Sequence, residues 1–264
     1  MKTLTYIFHD CFVYEDRDYL VVFDYWKDPT VRANELPLFI TRADKSKHLV
    51  VLVSHHHKDH YTKKIFEWEK LFRNVTFILS RDTFKFCRHI LNPDSCYAGY
   101  KPKPENVRIL KEGDKLLING LGIEVFGSTD IGNSYILTIK GETLFHAGDL
   151  NAWIWKDEST PEEVSAETEK FLKIVRQIKC FYPKLDIVMF PVDARIGSEF
   201  YRGAELFVRE IEVNKFFPMH FELYETSTEE RYLKFGAVDL SKYANPNRGE
   251  YICLMYPYAA YLWE

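Results

Sequence analysis

The sequence predicts an α/β protein, and a four-layer α/β/β/α sandwich fits the order of its elements. Three observations carry that expectation. Short β-like runs dominate the beginning and the middle of the chain. A continuous apolar run, Leu49 to Val53, ends abruptly in Ser54 and a group of histidines. A strongly marked amphipathic helix, opening at Pro161, is inserted among the later strands. Other α/β folds fit the same order when no motif is considered.

Taken in sequence, Leu4 to Phe8, Phe12 to Glu15 and Tyr19 to Asp24 are separated by turn-like polar clusters and predict a meander. Leu49 to Val53 has the character of a strand buried on both faces. Thr62 to Phe72 predicts a helix with Ile65, Phe66, Trp68 and Phe72 near one face. Asn74 to Leu79 predicts a strand, and Arg81 to Leu91 a helix closed by Pro93. Several strands follow from Asn106 to His146, punctuated by Gly113, Asn119-Gly120, Gly132 and Gly141. Thr160 can cap the helix from Pro161 to about Lys179, with Glu163 completing a capping box. Val164, Thr168, Phe171, Val175 and Ile178 mark its buried stripe. Asp186 to Phe190 predicts a strand, residues 203 to 213 a helix, and Lys215 to Met219 a strand running into His220.

The chain has 264 residues, 46% of them hydrophobic and 16% aromatic, enough for a packed core in one domain spanning residues 1 to 264. Its net charge of −4 argues against a general nucleic-acid binder. No apolar run approaches the roughly 18 residues needed to span a membrane. Five scattered cysteines without a C-x-x-C pair predict reduced thiols. The polar pair His9-Asp10 follows the N-terminus too soon for a secretory segment, so the expected location is cytoplasmic. Oligomeric state is not encoded in any visible pattern.

The sharpest feature is Ser54-His55-His56-His57-Lys58-Asp59-His60. His55 and His57 are two positions apart, which in extended chain places them on one side. Asp59 and His60 follow as the chain turns. Imidazole and carboxylate are donors that zinc, manganese and iron accept, and four of them within six residues can serve two ions. A solvated polar loop is the bland alternative.

The spacing His55-x-His57-x-Asp59-His60 resembles the H-x-H-x-D-H signature of the metallo-β-lactamase superfamily. The family's other positions resemble residues found in the same order: Asp24 after Val21-Val22-Phe23, Asp149 after His146-Ala147-Gly148, and His220 after Phe217-Pro218-Met219. The match runs from about residue 5 to 222. Phe8-His9-Asp10-Cys11-Phe12 resembles the opening of the branch containing ascorbate-phosphate lactonase-like proteins, where a histidine lies by the site. His9 is therefore a candidate to face the pocket, or else a strand-end histidine bonded to backbone. One departure stands out: residues 90 to 145 contain no histidine, whereas the family places a third ligand for its first metal there. Asp130, in Gly127-Ser128-Thr129-Asp130, is the candidate substitute, or a turn residue before Gly132. His146 is a poorer one, lying inside the strand that leads to Asp149.

What the resemblance implies is a metal-dependent hydrolase with two divalent ions, zinc first and manganese or iron as alternatives. His55 and His57, with Asp130, would hold one ion; Asp59, His60 and His220 the other; Asp149 would bridge them. A hydroxide activated by the metals would attack a small ester, lactone or phosphoester, with Asp59 orienting it and Asp24 supporting a ligand histidine or its loop. Trp153 is a candidate pocket wall, or simply core. Arg195, in Pro191-Val192-Asp193-Ala194-Arg195, is a candidate for binding an anionic group, or pairs with Asp193 to stiffen the loop. The expected partner is a small-molecule substrate, with neither nucleic acid nor membrane. A nuclease is disfavoured by the acidic charge. A flavin-linked di-iron reductase is disfavoured by histidine at position 57, where that branch carries an acidic residue. A metal-binding regulatory protein with little turnover is the alternative from another class.

Overall fold

The structure is a computed structural model that describes residues 1–221 and 249–264. The chain divides into two compact units, Met1–Leu110 with Tyr256–Glu264, and Lys111–Met255.

In the first unit the predicted meander forms β1 (Lys2–Phe8), β2 (Cys11–Glu15) and β3 (Tyr19–Phe23), paired antiparallel. A short helix, α1 (Leu38–Arg42), precedes β4 (His48–Val53), which joins β3 in parallel. Then come β5 (Asn74–Ser80), α2 (Arg81–Leu91) and β6 (Val107–Leu110), both strands again parallel. The last strand of the chain is β14 (Ala260–Trp263), lying antiparallel on β1. Parallel strands covered on both faces need apolar side chains throughout. Leu49 to Val53 supplies them, and all five residues are fully buried. The segment expected as an α-helix over 62–72 is instead a 3-10 helix, Lys63–Lys70. Three residues per turn put Ile65 and Trp68 on one side, and both are buried against the sheet with Phe66.

The second unit carries β7 (Lys115–Ile118), β8 (Leu121–Phe126), β9 (Ser134–Ile139) and β10 (Glu142–His146) as antiparallel neighbours. Asn119-Gly120 and Lys140-Gly141 make tight hairpins, each residue with positive φ. The long helix α3 (Pro161–Phe181) opens on the expected capping box. Thr160 Oγ1 accepts from Glu163 N at 3.3 Å, and Glu163 Oε2 accepts from Thr160 N at 2.8 Å. Phe171, Leu172, Val175 and Ile178 are its buried face; Val164 and Thr168, at its exposed start, are only half-buried. Next are β11 (Lys184–Pro191), α4 (Arg202–Glu210), β12 (Glu212–Met219) and β13 (Glu250–Tyr251), with β10 to β13 parallel. The helix expected over 203–213 stops earlier because pairing of Lys184 with Glu212 draws the chain into the sheet.

Among the described residues, two mixed seven-stranded sheets with helices beside their strands form the α/β architecture expected. Among the described residues no helix is long and apolar enough to cross a membrane. The five cysteines are unbridged.

Candidate metal centre

Parallel strands deliver their following residues to one sheet edge, and both units use it for donors. In the first unit Asp24 follows β3, and residues 54–60 follow β4. In the second, Asp149, Asp193 and His220 follow β10, β11 and β12.

Asp24 organises the first set. Its Oδ1 accepts from Ser54 N at 2.7 Å, while Oδ2 accepts from Ser54 Oγ at 2.6 Å and faces His60 Nδ1 at 2.9 Å. Ser54 Oγ, its proton committed to Asp24, can accept from His55 Nδ1 at 2.9 Å. Both histidines are therefore pinned through Nδ1 and keep Nε2 as a lone-pair donor. His57 Nδ1 lies 3.0 Å from His55 Nε2, so the two imidazoles of the H-x-H pair do share one side. His56 points elsewhere: its backbone N and its Nδ1 each lie 3.0 Å from Asp82 Oδ2, in the first turn of α2, and its ring stacks on Phe86. Donor atoms of His9, Asp59 and His60 lie within 4.8 Å of one another.

His9 and Asp10 form the two-residue turn between β1 and β2, and both are fully buried. His9 N donates to the Tyr6 hydroxyl at 2.8 Å, and its Nε2 is 3.2 Å from Asp10 Oδ2 and 3.6 Å from Asp59 Oδ2. Asp10 Oδ2 is also 3.2 Å from His60 Nε2. The sequence singled out His9 of this pair but not Asp10, whose burial against His60 comes from strand pairing. Burial works to raise the Asp59 pKa, but contact with His9 and the closeness of His60 and His9 outweigh it. The carboxyl is held well below the usual range.

In the second unit His220 Nδ1 faces Asp193 Oδ2 at 2.9 Å, and His220 Nε2 lies 3.3 Å from Asp149 Oδ1. Asp193, seen in the sequence only as a partner for Arg195, thus also fixes His220. Arg195 Nε reaches both Asp193 oxygens at 2.8 Å, and its Nη2 is 3.3 Å from His220 Nδ1. Burial would raise the Asp193 pKa; His220 and Arg195 together hold it well below the usual range. The Asp149 carbonyl accepts from Trp153 Nε1 at 2.9 Å and from Thr129 Oγ1 at 3.3 Å. Trp153 also meets His220 edge-on at 5.5 Å between ring centres, while Trp155 is exposed. Asp130 is exposed, with a donor atom within 4.8 Å of that of Asp149. His146 is buried at the end of β10, where its Nδ1 accepts from Gly148 N at 3.2 Å.

Backbone strain collects at the same residues. Among the described residues seven non-glycines have positive φ, and four are His9 (57°), Asp24 (42°), Trp153 (46°) and His220 (65°). Each such conformation costs on the order of 1–3 kcal/mol and persists where the surroundings impose it. The donor set fits a divalent metal. His55, His60 and His220 each have Nδ1 beside an oxygen acceptor, which is how proteins orient metal-binding imidazoles.

Fold and donors together define a metal-binding α/β protein of the metallo-β-lactamase type. The chain belongs to the beta-lactamase superfamily, whose domain model matches residues 3–164. Among solved structures it is similar to Igni18, a metallo hydrolase from Ignicoccus hospitalis, with 15% identity, a TM-score of 0.61 and coverage of 100% of this chain and 99% of that one. It is similar over 99% of its length to the whole of YhfI, a metallo-β-lactamase fold protein from Bacillus subtilis, at 12% identity and a TM-score of 0.60. CmlA, a diiron β-hydroxylase from Streptomyces venezuelae, aligns over 98% of this chain and 54% of its own at 11% identity and a TM-score of 0.65. These identities carry the fold and not the reaction. No curated protein matches the chain.

Proposed function

We propose that the chain is a metal-dependent hydrolase of small esters, lactones or phosphoesters, with its donors pooled in one binuclear centre as the family pattern implies. The observation supporting this most directly is the shared orientation of His55, His60 and His220. Each has its Nδ1 beside an oxygen, from Ser54, Asp24 and Asp193 in turn. Fixing Nδ1 in this way orients each opposite Nε2, the atom that would meet a metal ion. His55 and His57, with Asp130, would hold one ion; Asp59, His60 and His220 the other; Asp149 both.

Bound there, two divalent ions lower the pKa of water and polarise the scissile oxygen. The imidazole-rich set suits zinc before manganese or iron. Asp59, held well below the usual carboxylate range by His9 and His60, is suited to bind a cation and to orient the attacking oxygen rather than to take up a proton. Trp153 offers an apolar wall beside His220. Arg195 is already engaged by Asp193, which makes its main task the orientation of His220; its half-exposed guanidinium can also meet a substrate anion. A small-molecule substrate in the cytoplasm completes the reading, as does the lactonase-like opening around His9.

The test is elemental analysis of protein purified without added metal or chelator, followed by an ester, lactone and phosphoester panel. About two equivalents of metal are expected, with turnover of one substrate class lost in both His57→Ala and Asp149→Ala. Metal without turnover on any class would favour the regulatory alternative. No metal after reconstitution would sink the hydrolase reading.

A further inference from the structure

We propose that Asp10 is a metal ligand, binding the same ion as His60. The inference rests on the metal-centre reading above and adds a residue outside the family pattern.

Its basis is a geometry that occurs twice. In the second unit, His220 stands between two carboxylates: Asp193 Oδ2 is 2.9 Å from its Nδ1 and Asp149 Oδ1 is 3.3 Å from its Nε2. In the first unit, Asp24 Oδ2 is 2.9 Å from His60 Nδ1 and Asp10 Oδ2 is 3.2 Å from His60 Nε2. The outer carboxylate in each case fixes the tautomer and leaves a lone pair on Nε2. A lone pair and an ionised oxygen at such separations repel, unless a proton or a metal ion lies against both. Two donors each about 2.0–2.2 Å from one ion at near-tetrahedral or right angles stand roughly 3 Å apart. Asp10 is therefore to His60 what Asp149, the family's shared ligand, is to His220.

The turn that carries Asp10 is built unlike the other tight hairpins. Asn119-Gly120 and Lys140-Gly141 are exposed, with a glycine taking up positive φ. His9-Asp10 has no glycine, holds His9 at φ 57°, and buries both side chains completely. A buried carboxylate needs a compensating charge. Three carboxylates, Asp10, Asp24 and Asp59, stand against two imidazoles, His60 and His9, which even as imidazolium ions could neutralise only two of them. A divalent ion on His60 and Asp10 balances the cluster. Any proton held on His60 Nε2 is released to solvent when the ion binds.

Cobalt(II) titration of the metal-free chain tests this, read by the visible d–d spectrum and by competition with a chromogenic chelator. In Asp10→Asn, affinity for one ion is expected to fall by at least about a hundredfold, beyond the roughly 10–100-fold of an outer partner. The spectrum should change shape, while the metal-free protein melts as the wild type does. Should the Asn variant not fold, Asp10→Glu keeps the charge with a longer reach, and a shifted spectrum is expected there. Wild-type affinity and spectrum in the folded Asn variant, or in Asp10→Glu in its place, would overturn the assignment of Asp10 alone. Failure of the wild type to bind cobalt would instead overturn the metal-centre reading and this inference with it.

Discussion

Asp24 Oδ2 lies 2.9 Å from His60 Nδ1 and also accepts from Ser54 Oγ at 2.6 Å, so one carboxylate oxygen sets both a histidine and the serine that steadies His55. In Asp24→Asn one oxygen becomes an amide nitrogen, which cannot accept from both donors. The expected result is a loss of metal affinity of about 10–100-fold with every proposed ligand still present. Competitive chelator titration measures it. Unchanged affinity would show that His60 and His55 need no such support.

A parallel experiment separates the two tasks of the Asp193–Arg195 pair. Asp193 is buried and contacts His220 directly, whereas the Arg195 side chain is 37% exposed. Asp193→Asn is expected to weaken metal binding about tenfold or more. Arg195→Ala is expected to weaken it less. If Arg195 also receives a substrate anion, the same variant raises KM for anionic substrates and leaves neutral ones unaffected. Steady-state kinetics on a matched charged and neutral pair decides this.

Much of the candidate donor set was legible in the sequence, and the reason is local. His55, His57, Asp59 and His60 fall within one short stretch after an apolar strand, so their spacing alone states their chemistry. Asp149 and His220 could be found only through the order of family motifs, since each is a single residue at a strand end. Asp10 and Asp193 lie beyond that kind of reading. Their significance comes from strand pairing that carries them to histidines 50 and 27 positions away in the chain. The fold shows the same division. Capping and periodicity gave α3 its start at Thr160. The 3-10 form of Lys63–Lys70 and the early end of α4 are decided by packing and by strand register, which local patterns do not carry.

Asp130 bears on the number of ions. It is exposed, yet its donor atom lies within 4.8 Å of that of Asp149, as a shared-centre ligand requires. Elemental analysis of Asp130→Ala is expected to show about one equivalent of metal where the wild type holds about two. A count unchanged by the mutation would reduce Asp130 to a turn residue before Gly132.

Gly203 links the stability of the second unit to the placement of Asp149. In α4, a Cβ at position 203 would lie 1.8 Å from Asn151 Oδ1 and 3.0 Å from Ala152 N. Asn151 is fully buried, and its Oδ1 accepts from Ala152 N at 2.8 Å, so it has little room to retreat. Its backbone is tied to Thr129 Oγ1 through the Asn151 carbonyl at 2.6 Å and the Asn151 amide at 3.0 Å, and the same oxygen lies 3.3 Å from the Asp149 carbonyl. A push at Asn151 therefore reaches Asp149 through one oxygen atom. Gly203→Ala is expected to cost about 1–3 kcal/mol of stability and to lower metal affinity as well. Gly122→Ala is the control, because a Cβ there meets Thr138 at an ordinary 3.6 Å. Chemical denaturation and chelator competition on both variants check the coupling. Equal affinity in Gly203→Ala and the wild type, despite lost stability, would show that Asp149 is held independently of the loop that follows it.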